Sequence, residues 1–188
     1  MEPYEKVLDF WFGRKNKTQF RWVWFKKSKA TDKKIKKRFE KILHAAKAGK
    51  LSSWEKTPEG TLALLIVLDQ FSRNIYRGNK KSFESDKQSL AIARRGLAKG
   101  YDKKMSSVER MFFYLPLTHC ENPKVQNQSV ALFKKIRHTK QGKGPYKYAV
   151  LHKQVIDTYG RFPHRNKIVG RKSNKKELEY LSKPGAGF

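Results

Sequence analysis

The fold turns on residues 57–74, Thr57-Pro58-Glu59-Gly60-Thr61-Leu62-Ala63-Leu64-Leu65-Ile66-Val67-Leu68-Asp69-Gln70-Phe71-Ser72-Arg73-Asn74. Thr57 can cap a helix. Pro58 suits its first position, where a missing N–H costs nothing, and Glu59 puts an acid in the first turn. From Leu62 to Leu68 every residue is apolar, so a helix here is hydrophobic on nearly all sides. A surface helix carries one apolar stripe; this one has to be surrounded. The pattern predicts a central helix that reaches about Asn74 and stops before Gly78. Its apolar run is far too short to cross a bilayer, which takes about 20 residues.

The flanking segments read as the helices that surround it. Tyr4, Val7, Leu8 and Trp11 share one face between Pro3 and Gly13. Gln19 to Phe25 is packed with aromatics, and its period fits a short helix or an irregular plug. From Asp32 to Ala48 an apolar stripe of Ile35, Phe39, Ile42 and Ala46 predicts a helix capped by Thr31 or Asp32 and ended by Gly49. Ser85 can cap a helix through Leu90, Ile92, Ala93 and Leu97, closed by Gly100. Ser106-x-x-Glu109 is a capping box for a helix bearing Met111, Phe112 and Leu115, which Pro116 kinks or ends. Pro123 to His138 forms another, and Gly142 to Pro145 reads as a loop. Tyr148, Leu151, Val155, Ile156 and Tyr159 mark a helix stopped by Gly160. Arg161 to Arg171 is a polar connector before a last short helix boxed by Asn174 and Glu177. No stretch alternates with period two, so no sheet is expected. The expectation is one all-α domain over residues 1–188, a multi-helix α-α superhelical bundle of TPR-like layout, although no repeat of about 34 residues is visible.

Charge is the unusual feature of the composition. The 188 residues carry a formal net charge of +28, from 44 Lys+Arg against 16 Asp+Glu. The excess is spread along the whole chain and is mostly lysine, which suits a solvated surface better than bidentate recognition of phosphate. It predicts salt-sensitive, unspecific contact with polyanions. Clustering of Lys33–Arg38 with Arg14, Lys15 and Lys17 would strengthen that reading. Otherwise Lys33–Arg38 is the polar side of an amphipathic helix. One cysteine, Cys120, and an N-terminus without a basic-then-apolar signal predict a cytoplasmic protein with no membrane span.

Three polar constellations could carry chemistry. In the first, Asp69 and Arg73 are four apart, as are Gln70 and Asn74, directly after the most apolar run. They form either an internal pair locking the helix end or a pocket floor with Arg73 as anion anchor. The second is Arg161-Phe162-Pro163-His164-Arg165-Asn166. Its guanidiniums could hold phosphate or carboxylate, or stitch helix ends together. The third is His119-Cys120-Glu121, whose His-x-Glu pair could ligate a metal only with help from His152 or His164. A structural histidine and a small buried thiol are the plainer reading, and no metal is expected. Glu109 is accounted for by its capping box and is a weaker site candidate. His152 borders an apolar helix face. No phosphate loop, dinucleotide fingerprint or Gly-x-Ser-x-Gly elbow is present, so no cofactor is expected.

At these residues the sequence resembles the bacterial domain-of-unknown-function family nine-twenty-four. The resemblance rests on residues 7–13, Val7-Leu8-Asp9-Phe10-Trp11-Phe12-Gly13, and on residues 68–78, from Leu68-Asp69-Gln70-Phe71 to Tyr76-Arg77-Gly78. It continues in residues 109–117, in Gly160-Arg161-Phe162-Pro163-His164-Arg165-Asn166, and in the terminal Pro184-Gly185-Ala186-Gly187-Phe188. It implies an all-α, TPR-like fold and carries no activity with it.

Three functions follow as expectations. The first is a binding module, with Asp69, Arg73, Asn74, Arg161, His164 and Arg165 converging on a small anion or peptide carboxylate. The second is a hydrolase in the same cleft, with His119, His152 or His164 as base and Asp69 or Glu109 orienting it. The third is unspecific polyanion binding by the lysine coat. The aromatic-rich stretch Phe20–Phe25 could supply a contact surface.

Overall fold

A computed structural model describes residues 2–13 and 19–187, and all regular structure among them is helical. Arg14, Lys15 and Lys17, which would have to join Lys33–Arg38 in a basic cluster, lie outside the described residues. Helix α1 (Pro3–Phe12) ends at Gly13, whose φ of 87° is open to glycine but not to side chains in general. A single 3₁₀ turn, Trp22–Trp24, follows. Helix α2 (Lys29–Lys47) starts earlier than its sequence suggests. Ser28 is the cap, its hydroxyl accepting the Thr31 N–H at 3.3 Å. Asp32 therefore sits inside the first turn, and its carboxylate instead receives Arg77 Nε and Nη2 at 2.7 and 2.8 Å and Asn74 Nδ2 at 2.8 Å. The buried stripe is Ile35, Phe39, Leu43 and Ala46, with Leu43 in the place expected for Ile42.

The central element is continuous but not uniform. Helix α3 (Pro58–Leu65) is capped by Thr57, runs into a π-helical stretch, Ile66–Phe71, and finishes as α4 (Ser72–Ile75). Helices α1, α2, α5 and α6 pack around it. Burial is complete at Leu65, Ile66, Val67, Leu68 and Phe71. Helix α5 (Asp86–Ala98) begins after Ser85, but that hydroxyl caps nothing, because Ser85 already has helical dihedrals. Helix α6 (Ser107–Thr118) has the expected Ser106–Glu109 box and continues past Pro116, which does not end it. Helix α7 (Pro123–Ile136) packs against both α6 and α8 (Lys143–Tyr159). Helix α8 starts within the stretch expected to be a loop. Pro145 falls in its first turn, where an N–H would have no intrahelical partner. The connector holds a 3₁₀ turn, Pro163–Arg165, and the four-residue α9 (Asn166–Val169), before α10 (Lys175–Leu181). This succession of helices is compatible with a TPR-like arrangement. No helix among the described residues is long and apolar enough to cross a membrane.

Aromatic side chains hold the main core together. Phe112 of α6 lies 5.4 Å from Trp11, 5.5 Å from Phe12 and 4.8 Å from Trp24, ring centre to ring centre, all edge-on. Phe71 meets Phe39 at 4.8 Å and Trp11 at 5.5 Å. A smaller cluster of Val155, Ile156 and Phe162, with Tyr159 and Tyr180 against it, joins α8 to the C-terminal segment.

At Gly96 helix α5 comes into close contact with α6 and α3. A β-carbon there would lie 2.5 Å from Phe113 Cζ and 3.2 Å from Thr61 Cγ2. Phe113 is fully buried and cannot swing away. Alanine is the better helix former, by roughly 1 kcal/mol, yet Gly96→Ala is expected to destabilise the protein by about 1–3 kcal/mol through overpacking. A denaturant midpoint that rises in this variant would contradict the close approach.

Candidate functional site

The buried carboxylate of Asp69 is the starting point. Asp69 sits in the π-helical stretch and is 1% exposed. Three side chains answer it. Gln70 Nε2 donates to Oδ2 at 2.6 Å, Arg73 Nη1 reaches Oδ1 at 3.0 Å, and His119 Nδ1 lies 2.8 Å from the same Oδ1. Burial would raise the carboxyl's pKa, but Arg73 and His119 outweigh it and hold Asp69 well below the usual carboxylate range. Since the carboxylate can only accept, His119 Nδ1 carries the proton and Nε2 keeps its lone pair. Burial first, and Arg73 second, push the His119 pKa down despite Asp69, so the imidazole is neutral.

Arg73 then extends the network. Its Nη1 also bonds the Asp69 backbone carbonyl at 3.0 Å, and Nη2 donates to Asp86 Oδ2 at 3.0 Å. Asp86 is the first residue of α5, where the helix dipole favours an anion. Arg165 shares this carboxylate. Its Nη1 is 3.4 Å from Asp86 Oδ2, the one side-chain hydrogen bond it makes among the described residues. Its Nε is buried and reaches no acceptor among the described residues. The guanidinium lies between two rings, 4.7 Å from the Phe83 centroid and 4.5 Å from Phe162. Burial, and then the repulsion of Arg73, lower its pKa to about 10.

Two more histidines border this group. The rings of His119 and His152 are 6.1 Å apart, those of His152 and Phe162 5.5 Å, and those of Phe162 and His164 5.6 Å. His152 Nδ1 donates to the Tyr148 carbonyl at 2.8 Å. Gly187 covers His164 so closely that a β-carbon on it would come within 2.9 Å of His164 Cβ. Burial, then His119, bring the His152 pKa to about 3; burial, then Arg165, bring that of His164 to about 4.

The expected convergence is therefore partial. Asp69, Arg73, His119, His152, His164 and Arg165 come together, and Asp86 and Phe83 join them. Asn74 faces Asp32 instead, and Glu109 stays in its capping box, accepting from the Ser106 N–H and Oγ at 2.9 and 2.8 Å. Arg161 grips Glu177 with two bonds of 2.6 and 2.8 Å, and Asn166 Nδ2 donates to Ser173 Oγ at 3.0 Å. These four are stitching contacts that hold helix ends and the C-terminal segment. The His-x-Glu pair also divides. His119 turns to Asp69, while Glu121 accepts from Arg171 at 2.6 and 2.8 Å and from the Phe162 N–H at 2.8 Å. Among the described residues no group of three or more His, Cys, Asp or Glu side chains could hold a metal ion. Sequence reading missed Asp86, because an acid in a first helical turn is already explained by the dipole. It missed Phe83 because nothing local ties that residue to an arginine 82 positions on. A groove of 450 Å³ elsewhere, lined by Arg94, Leu97, Leu117, Gln128, Ala131, Leu132 and Lys135, includes none of these residues.

His152 and His164, two of the three depressed histidines, set a pH dependence. The ordinary histidine value is 6.5, so below it the unfolded chain takes up protons that folded His152 and His164 refuse until about pH 3 and 4. Stability should fall as pH drops from about 6.5, by up to about 1.4 kcal/mol per pH unit for each histidine. Urea unfolding at several pH values checks this. His152→Gln should show a shallower slope between about pH 6 and 5, and a slope identical to that of the native protein would remove the histidine from the effect.

Comparison with known proteins places the chain in a family. Among curated proteins none matches the sequence significantly. The solved structure of a protein of unknown function from Agrobacterium tumefaciens is similar, at 31% identity and a TM-score of 0.86, with 95% of this chain and 96% of that one covered. A family profile described as bacterial protein of unknown function (DUF924) matches residues 7–185, a span that includes every residue of the Asp69–Arg73–Asp86–Arg165 network. The chain belongs to that family of bacterial proteins of unknown function.

Proposed function

We propose that the protein binds a small anion, a phosphate or carboxylate group, beside Arg165 and Arg73, with the neutral histidines 119, 152 and 164 around it. The observation that carries this reading is the state of Arg165. A buried guanidinium normally finds acceptors for its five donors, and bidentate carboxylates are the usual solution. Arg161, Arg171 and Arg77 each have one. Arg165 has a single long bond to a carboxylate that Arg73 already uses. An anion beside it would accept from Nε, relieve the repulsion between the two arginines and reverse the fall in its pKa.

Anion addition at moderate, constant ionic strength should raise the melting temperature. Inorganic phosphate, acetate and citrate are suitable probes. At about a hundred times its dissociation constant a ligand adds about 2.7 kcal/mol, roughly 5–10 °C for a domain of this size. Arg165→Met keeps the volume of the side chain and leaves Asp86 paired with Arg73, so it should fold, with the anion response gone. A native protein that ignores all three anions, together with an Arg165→Met variant that melts higher, would reduce the network to packing.

A second reading, hydrolysis, is favoured by one contact. An imidazole whose Nδ1–H is held by an ionised carboxylate keeps Nε2 unprotonated and aimed to accept a proton, the geometry of a general base. His119 and Asp69 have that geometry at 2.8 Å. This reading expects turnover of phosphate or carboxylate esters that His119→Gln abolishes while the anion-induced shift in melting persists. Absence of turnover across both ester classes, with the shift intact, would leave binding alone.

A further inference from the structure

The turn after α1 displays apolar side chains to solvent on a rigid base. Trp22 is 79% exposed, Phe25 52% and Val23 39%. Their neighbour Trp24 is buried, its Nε1–H donating to the Trp11 carbonyl at 2.8 Å. Arg21 Nη1 donates to the Phe10 and Trp11 carbonyls at 3.1 and 2.7 Å, capping the C-terminal end of α1. The turn is clamped at both points, so its outward residues are presented without the entropy cost of ordering a loose loop. The sequence flanking it carries charge of one sign. Between Asp9 and Asp32 the sequence has no acid and seven cations, and Lys26, Lys27 and Lys29 beside the turn are exposed.

We infer that this turn is a peripheral anchor for an anionic membrane surface, with Trp22, Val23 and Phe25 entering the headgroup boundary and the lysines facing acidic lipid. Exposed aromatic residues within a basic rim are the chemistry of interfacial attachment. A second copy of the chain is the poorer occupant, because it would bring cations against cations in a protein of net charge +28. Single-stranded nucleic acid is also poorer. Base stacking needs open ring faces, and Phe20 already covers a face of Phe25 by stacking at 5.7 Å, which leaves Trp22 the most open ring of the turn. Val23, at the same turn, has no ring at all.

Vesicle co-sedimentation of the full chain tests the inference, with phosphatidylcholine alone against phosphatidylcholine containing phosphatidylglycerol. The expected result is binding to the anionic vesicles only, with tryptophan emission shifted to the blue. The double variant Trp22→Ala/Phe25→Ala should lose roughly tenfold or more of the partitioning, as expected for withdrawing two aromatic side chains from an apolar phase. Its melting temperature should fall only slightly, because the double variant loses the ring contacts with Phe20 while the buried Trp24 and its bond to Trp11 stay in place. Equal binding by the double variant would mean adsorption by the general lysine coat and would overturn the anchor. No binding to anionic vesicles would do the same. So would tighter binding to a single-stranded oligonucleotide that the double variant loses.

Discussion

A carboxylate in the middle of the most apolar helix is the constraint on which the rest of the site depends. An unpaired charge at Asp69 would be prohibitively costly, so the surrounding elements have to answer it. Gln70 and Arg73 do so from its own helix, and His119 does so from the end of α6. The π-helical stretch that carries Asp69 is a local departure from α geometry of the kind that recurs at functional sites. Once Arg73 is committed to Asp69 it also takes Asp86 from α5, and Asp86 in turn is shared with Arg165 from the C-terminal connector. One buried acid thereby ties together segments 79 positions apart in sequence.

Among the described residues the arginine–carboxylate pairs fall into two kinds. Arg95 with Glu55, Arg77 with Asp32, Arg161 with Glu177 and Arg171 with Glu121 are two-point grips between one arginine and one carboxylate. They join distant segments and leave little capacity for a ligand. The Arg73–Asp86–Arg165 group differs, because two guanidiniums divide one carboxylate. Buried ion pairs seldom stabilise a fold more than apolar packing of the same volume would. An arrangement that also leaves a guanidinium short of acceptors is the feature on which the proposed anion site rests.

The surface follows a separate logic. Lysine covers α2 on its solvent side, where Lys33, Lys34, Lys36, Lys37 and Arg38 are exposed and the buried stripe runs beneath them. That run needs no partner to explain it. The Trp22–Phe25 turn does, because exposing two aromatic side chains on a clamped turn forgoes burial that the neighbouring Trp24 obtains.

Period and punctuation in the sequence were enough for the helical class, the central place of residues 58–75 and the capping boxes at Ser106 and Asn174, because these depend on spacing within one turn or two. The pairing of Asp69 with Arg73 was legible for the same reason. Boundaries failed where a local signal had a rival. Ser28 displaced Asp32 as cap because Asp32 is claimed by Arg77 and Asn74. Pro116 did not end α6, although the sequence marks it as a breaker. What spacing could not reach was the allocation of partners. Arg161, Asn74 and Glu109 have the same chemistry as the residues of the network, yet each is satisfied elsewhere, while Asp86 and Phe83 carry no local mark of their role. That allocation was settled only when the helices packed, because a buried charge takes the complementary group that tertiary contact brings within about 3 Å, whatever its distance along the chain.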